Sequence, residues 1–273
     1  KPLYRLPRAG PALDLKGRDV LVTGASSGIG LAASAEFARR GARVTLVARR
    51  PGPLEEARAG IPGSRAIPCD VSDAGQVAKM AKEAGAPDIL VNNAGYAVYE
   101  PVADSTVREI ESQMRTNFMG AVHCTKAFLP GMLGRGSGRI INVASLAASF
   151  GIPGVAAYCA SKHAMLGFSE ALKHELAGTG VRVTVVSPGA VKTPFFDHES
   201  FSRVRPPLAM SPGTVASAIV RAASSRRLEI TVPAIARAAV WLKHTAPFVT
   251  DLAVARAFRY SESARSSDTS TNL

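Results

Sequence analysis

The chain has 273 residues, 47% of them hydrophobic and 20% charged, which excludes a disordered polyelectrolyte and allows a large core in one compact domain. Its net charge of +12 invites nucleic acid, an anionic membrane or a phosphorylated ligand; residues 1–65 hold 12 basic and 5 acidic side chains, and residues 201–273 hold 10 and 4. Cys69, Cys124 and Cys159 stand far apart without C-x-x-C spacing or a histidine cluster, so no disulfide framework and no metal site are expected, and a reducing, cytoplasmic setting fits.

Residues 1–16, rich in Pro, Arg and Gly, read as an N-terminal arm. No signal-peptide core follows Lys1 and no apolar run reaches the roughly 18 residues of a spanning helix. The chain does not begin with Met, which leaves a preceding segment or anchor open. From Asp19 the pattern alternates: strand Asp19–Thr23, helix Leu31–Arg40, strand Arg43–Ala48, helix Pro53–Ala59, strand Ser64–Pro68, helix Ala74–Ala84, strand Asp88–Asn92. A long helix Val107–Leu133 in two parts follows, then strand Arg139–Ser145, helix Ala156–Thr179 and strand Arg182–Ser187. Strands apolar on both faces require a parallel sheet covered by helices. Beyond Pro188 come a Pro-rich loop at about 190–210, a helix near Pro212–Ser224, a short strand Glu229–Pro233 and two helical stretches broken near Pro247. The last residues, 261–273, are Ser/Thr-rich and predicted to fray. The expected organisation is an arm (1–16), a main domain (17–233) and a C-terminal helical extension with a frayed tail (234–273).

The turn Thr23-Gly24-Ala25-Ser26-Ser27-Gly28-Ile29-Gly30 lies between the first strand and its helix. Glycines there permit a tight turn and close approach to a pyrophosphate, which the N–H groups of the following helix hold. At the end of the second strand no acidic residue is offered to a ribose hydroxyl; Arg49 and Arg50 stand there instead. Paired with the hydroxyls of Ser26 and Ser27, they suit a 2′-phosphate, so NADP(H) is expected over NAD(H). The competing reading is that both arginines are solvated surface.

Tyr158 and Lys162, four residues apart, share one face of a helix. Ser145 ends a strand at the carboxyl edge, where ligands of open α/β sheets gather. A tyrosine hydroxyl can move a proton in step with a hydride between an alcohol and a carbonyl, but its pKa of about 10 makes it a poor base at neutral pH. The Lys162 ammonium is expected to lower it, and Ser145 to polarise the substrate oxygen. Asn117 is assigned a water held against Lys162 for proton relay. Ser161 is expected on the helix surface, Cys159 in the core and His163 in packing. Tyr-x-x-x-Lys alone also describes an ordinary surface pair.

With Asn92-Asn93-Ala94-Gly95, Asn117 and Pro188-Gly189 followed by Thr193, the set as a whole resembles the short-chain dehydrogenase/reductases over about residues 17–195. The resemblance implies a Rossmann-type, doubly wound α/β fold with a mainly parallel seven-stranded sheet, and homo-oligomers, dimeric or tetrameric. It also implies adenine contacts from Asp70 and Val71, a cleft lined by Asn93, Ala94 and Gly95, and a nicotinamide end held by Pro188, Gly189, Val191 and Thr193. A non-catalytic NADP(H)-binding sensor or scaffold of the same fold is the alternative, against which the intact Ser/Tyr/Lys set speaks.

Substrate choice is expected after Pro188, where Phe195, Phe196 and Phe201, with Met210 and Trp241, suggest an apolar pocket for a lipophilic ketone or alcohol, steroid-like or long-chain acyl. The same rings would also serve to seal the core beneath a long loop. No nucleic-acid motif is present. The stretch Pro233–Tyr260 mixes Ile235, Trp241, Leu242, Phe248, Val249, Leu252, Ala255 and Phe258 with Arg237, Lys243, Arg256 and Arg259. Two amphipathic helices are expected there, for a partner subunit, for the cleft or for peripheral membrane contact.

Overall fold

The computed structural model describes residues 13–196, 199–201 and 209–257. The N-terminal arm up to residue 12, residues 197–198 and 202–208 of the substrate loop, and the tail from residue 258 lie outside the described residues, as does the side chain of Phe196. Seven strands form one sheet: β1 (Asp19–Thr23), β2 (Arg43–Ala48), β3 (Arg65–Pro68), β4 (Ile89–Asn92), β5 (Gly138–Val143), β6 (Val181–Pro188) and β7 (Glu229–Val232). All pair in parallel, in the order β3-β2-β1-β4-β5-β6-β7. The chain thus builds outward from β1 in one direction and then from β4 in the other, leaving a crevice between the carboxyl ends of β1 and β4.

The strands are predominantly apolar because helices cover both faces. Val20, Val22, Leu46, Val91 and Val186 pack with α1 (Gly28–Arg39), α2 (Pro51–Ala59) and α7 (Pro212–Ala222). The alternate residues Leu21, Val47, Leu90, Ile140 and Val183 pack with α3 (Ala74–Ala84), α5 (Gly120–Gly134) and α6 (Ala156–Glu175). Each fully buried Val, Leu or Ile contributes about 1.5–3 kcal/mol relative to exposure.

Two departures from the sequence pattern bear on function. Helix α1 begins at Gly28, not Leu31, so Gly28, Ile29 and Gly30 are its first turn. The two parts of the long helix, α4 (Val107–Met114) and α5, are joined without a break by a wide π-helical turn, Arg115–Met119. After β7 come α8 (Ala236–Thr245) and α9 (Pro247–Ala257). Among the described residues no helix is long and apolar enough to cross a membrane.

Candidate active site

The crevice between β1 and β4 opens on the glycine turn. Gly24 and Gly28 have positive φ, and a Cβ on Gly30 would lie 2.2 Å from the Gly24 carbonyl oxygen, so a side chain at position 30 cannot fit. Asn93 secures this turn: its Nδ2 donates to the Thr23 and Gly24 carbonyls at 2.9 and 3.2 Å, while the Asn93 and Ala94 N–H groups donate to Thr23 Oγ1. The N-cap of α1, Ser27, makes no side-chain capping bond, and the first turn carries no acidic residue. By contrast, α3, α4 and α7 are capped by Asp73, Thr106 and Ser211. The open first turn of α1 is therefore suited to an anion.

Arg49 and Arg50 follow β2 on the same edge; both are exposed, and neither has an ion pair among the described residues. Asp70 turns Oδ1 to the N–H and hydroxyl of Ser72, and the Val71 carbonyl meets His123 Nδ1 at 3.0 Å. Across the crevice Thr193 stacks over Gly28, 3.2 Å from where its Cβ would be. The segment carrying Thr193 is tied down by Gly189 N–H to the Val232 carbonyl and by the bridge of Val191 with Met210.

The second half of the site is built on β5 and α6. Ser145, just past β5, caps a short 3₁₀ turn, its Oγ accepting from Ala147 N–H at 3.1 Å, and its hydroxyl acts on that of Tyr158. Lys162 is buried; its Nζ donates to the Val143 carbonyl at 2.9 Å and lies 5.6 Å from the Tyr158 ring centre. The expected lowering of the tyrosine is opposed by burial. Burial pushes Tyr158 up to about 12, the Ser145 hydrogen bond pulling the other way, and burial pushes Lys162 down to about 8. The physical reason is the same for both groups: the phenolate and the ammonium each lose hydration on burial.

Asn117 is fully buried on the π turn. Its Oδ1 accepts from Tyr96 N–H at 2.9 Å, and its Nδ2 donates to the Tyr96 carbonyl at 2.9 Å and Ser161 Oγ at 3.0 Å. Both amide donors are thus engaged in holding the Gly95–Tyr96 backbone against α6. A Cβ on Gly95 would stand 3.0 Å from Asn117 Oδ1 and 3.5 Å from Lys162 Nζ, so these two groups meet at Gly95.

Ser161, expected on the helix surface, is buried and donates to the Tyr158 carbonyl. The spacing Ser161, Met165, Ser169, Leu172 follows the buried stripe of α6 and marks it as internal. His163 is exposed rather than packed, while Cys159 is in the core as expected. Sequence reasoning also overlooked a buried amide relay: Asn92 Nδ2 donates to Thr125 Oγ1 and Asn142 Oδ1, and Asn142 Nδ2 to Ser169 Oγ, tying β4 and β5 to α5 and α6. Its signal was an asparagine within each of two strands buried on both faces, where every polar group needs a partner.

Beside Tyr158 the apolar wall is aromatic. Phe195 meets the Tyr158 ring edge-on at 5.6 Å, Phe201 lies 6.0 Å from Phe195, and Tyr99 lies 5.8 Å from Phe201. Ala97, Ala147, Val155 and Ile152 complete this cluster. Met210 and Trp241 do not join it: Met210 packs beside Gly189 against the core cluster of α1, α2 and α7, and Trp241 is exposed on α8. Among the described residues no group of three His, Cys, Asp or Glu side chains is placed to hold a metal ion.

A family model described as short chain dehydrogenase matches residues 18–202. A dehydrogenase/reductase SDR family protein 7-like from Anopheles gambiae is 37% identical over 260 residues, covering 87% of this chain and 82% of that protein. Ketoacyl reductase HetN of Nostoc sp. is 35% identical over 229 residues, 80% of this chain and 79% of its own length. Among solved structures, short-chain dehydrogenases of Burkholderia phymatum, in complex with NAD, and of Burkholderia cenocepacia, in complex with NADP, each superpose with a TM-score of 0.78 at 28% identity. They cover 87% and 89% of this chain, and it covers 96% and 99% of theirs. Since the family match includes both the glycine turn and the Ser145, Tyr158 and Lys162 cluster, and the sheet order and fold agree with the solved members, the chain belongs to the short-chain dehydrogenase/reductase family.

Proposed function

We propose that this protein is an NADP(H)-dependent oxidoreductase that interconverts a lipophilic ketone and its secondary alcohol. The observation that carries this reading is the meeting of the Ser145 and Tyr158 hydroxyls and buried Lys162 at the sheet edge that also bears the glycine turn. The cofactor, when bound, supplies or accepts the hydride. The uncapped first turn of α1, with Gly24, Gly28, Ile29 and Gly30, would hold its pyrophosphate, and Arg49 and Arg50 with Ser26 and Ser27 a 2′-phosphate. Asp70 and Val71 would meet the adenine, Asn93, Ala94 and Gly95 the cleft side, and Pro188, Gly189, Val191 and Thr193 the nicotinamide end. The presence of NAD in one solved relative and NADP in another makes the two arginines the discriminating feature.

At neutral pH a tyrosine held near 12 keeps its proton, so Tyr158 is set to donate to a carbonyl oxygen that Ser145 also binds. Lys162, one helical turn away, would bind the nicotinamide ribose and supply positive charge as the tyrosine loses its proton. Asn117 acts as a positioning residue by fixing Gly95 beside Lys162. Phe195, Phe196 and Phe201 would line the substrate side, and a steroid-like or long-chain acyl ketone suits that aromatic wall. The catalytic domain in this reading is residues 17–233, with 234–273 an extension, and the working unit is a homo-oligomer.

The test is NADPH oxidation with a panel of steroid, acyl and small polar ketones, comparing the parent with Tyr158→Phe. A loss of at least about a hundredfold in kcat with unchanged NADPH affinity is expected. Equal rates, or a parent without turnover that still binds NADPH, would favour the sensor or scaffold reading.

A further inference from the structure

The C-terminal positive charge is not used by the site just described, and the helices that carry part of it are turned unusually. The hairpin of α8 and α9 packs on β7 and on itself. It turns Thr250 inward, 6% exposed, while Phe248 is 74%, Leu252 52%, Trp241 68% and Ile235 80% exposed. At about 100° per residue Phe248, Leu252 and Ala255 form one stripe along α9, and it faces solvent, the reverse of the pattern of a helix seated on a core. Grouped apolar side chains of this size mark a surface that something covers.

The charges around them choose the cover. Between residues 234 and 257 the only carboxylate is Asp251, and it is paired with Lys243 at 2.8 Å. Arg237 and Arg256 are exposed and have no ion pair among the described residues. Arg237 precedes Trp241 by four residues and Arg256 follows Leu252 by four, so each cation flanks an outward apolar group on the same face. Aromatic and aliphatic groups edged by arginine match the boundary between headgroups and acyl chains in an anionic bilayer. We propose that the α8–α9 hairpin is a peripheral docking surface for anionic lipid bilayers, with Trp241, Phe248 and Leu252 entering the interface and Arg237 and Arg256 on the headgroups. The hairpin leaves the sheet at Val232, whose carbonyl accepts from Gly189 N–H, so it springs from the same edge as the Ser145 and Tyr158 site. Substrate delivery from the bilayer would rest on the lipophilic-substrate reading above; docking itself does not, and its test measures no turnover.

Trp241 is the only tryptophan, so the full chain reports its own docking. Vesicles of phosphatidylcholine alone are compared with vesicles of two parts phosphatidylcholine to one part phosphatidylglycerol. The expected result is co-sedimentation with the anionic vesicles, a blue shift of Trp241 emission and its quenching by brominated lipid. The Arg237→Gln, Arg256→Gln pair should weaken binding by about fivefold per cation removed. Phe248→Glu with Leu252→Glu should abolish it while leaving the circular dichroism spectrum of the fold intact, since both side chains are exposed. Unchanged emission without co-sedimentation overturns the proposal, as does equal binding to both vesicle types. So do emission that is already blue and shielded from acrylamide at every protein concentration, the sign of cover by the chain itself, and a blue shift that grows with protein concentration alongside a doubled mass, the sign of a second copy.

Discussion

Replacing Lys162 with Met tests the electrostatics of the site through stability, where cofactor and substrate are not needed. In the folded chain burial lowers the lysine from 10.5 to about 8, and the displacement corresponds to about 3 kcal/mol at about 1.4 kcal/mol per pH unit. The sign follows from proton counting: between about 8 and 10.5 the unfolded chain binds a proton at this site and the folded chain does not, so folding stability rises with pH there. That gain is complete above 10.5 and is lost as pH falls through about 8. Met cannot titrate, so the stability of the parent minus that of Lys162→Met should climb by about 3 kcal/mol between pH 8 and 10.5, other groups cancelling in the difference. At pH 7 the variant loses a charged hydrogen bond to Val143, about 1.5–3 kcal/mol, but also removes a buried charge of similar cost, so the two proteins should be nearly equal. Urea unfolding of both apoproteins at intervals from pH 7 to 11 reads this directly. Parallel curves with a constant offset would refute the depressed lysine and with it the assignment of its cause to burial.

Arg49→Asp should exchange the cofactor preference, lowering kcat/KM for NADPH by about a hundredfold and raising the ratio in favour of NADH; an unchanged ratio returns both arginines to solvated surface. Gly30→Ala places a Cβ 2.2 Å from the Gly24 carbonyl, so the turn must open; NADPH binding measured by fluorescence should be lost, with destabilisation of several kcal/mol by thermal melting. Phe195→Ala removes the ring that lies 5.6 Å from Tyr158, and KM for apolar ketones should rise about tenfold while KM for NADPH stays constant. If both constants move together, the ring supports the fold rather than the substrate.

Local pattern was enough for a parallel sheet covered by alternating helices, while the doubly wound, seven-stranded arrangement came from the family resemblance. The apolar runs of β1, β2, β4 and β6 could be recognised because a strand buried on both faces is predominantly apolar, and α3, α6 and α7 carry apolar residues at helical spacing. The glycine turn and the spacing of Tyr158 and Lys162 are likewise local, since backbone geometry alone sets which residues share a helical face. Their order along the chain sufficed to bring them to one sheet edge. What periodicity does not carry is desolvation and direction. Whether Lys162 lowers Tyr158, or is itself lowered, depends on how much water each loses, and that is decided by β5, the π turn and α6 closing together. Asn117 and Ser161 acquire their tasks only from each other across that contact. The C-terminal hairpin shows the same division: its mixture of Trp, Phe and Arg was evident in the chain, but only tertiary packing decided that Thr250 faces inward and Phe248 and Leu252 outward, because which stripe of a short helix meets the body is chosen by the contacts available to it and not by its own composition.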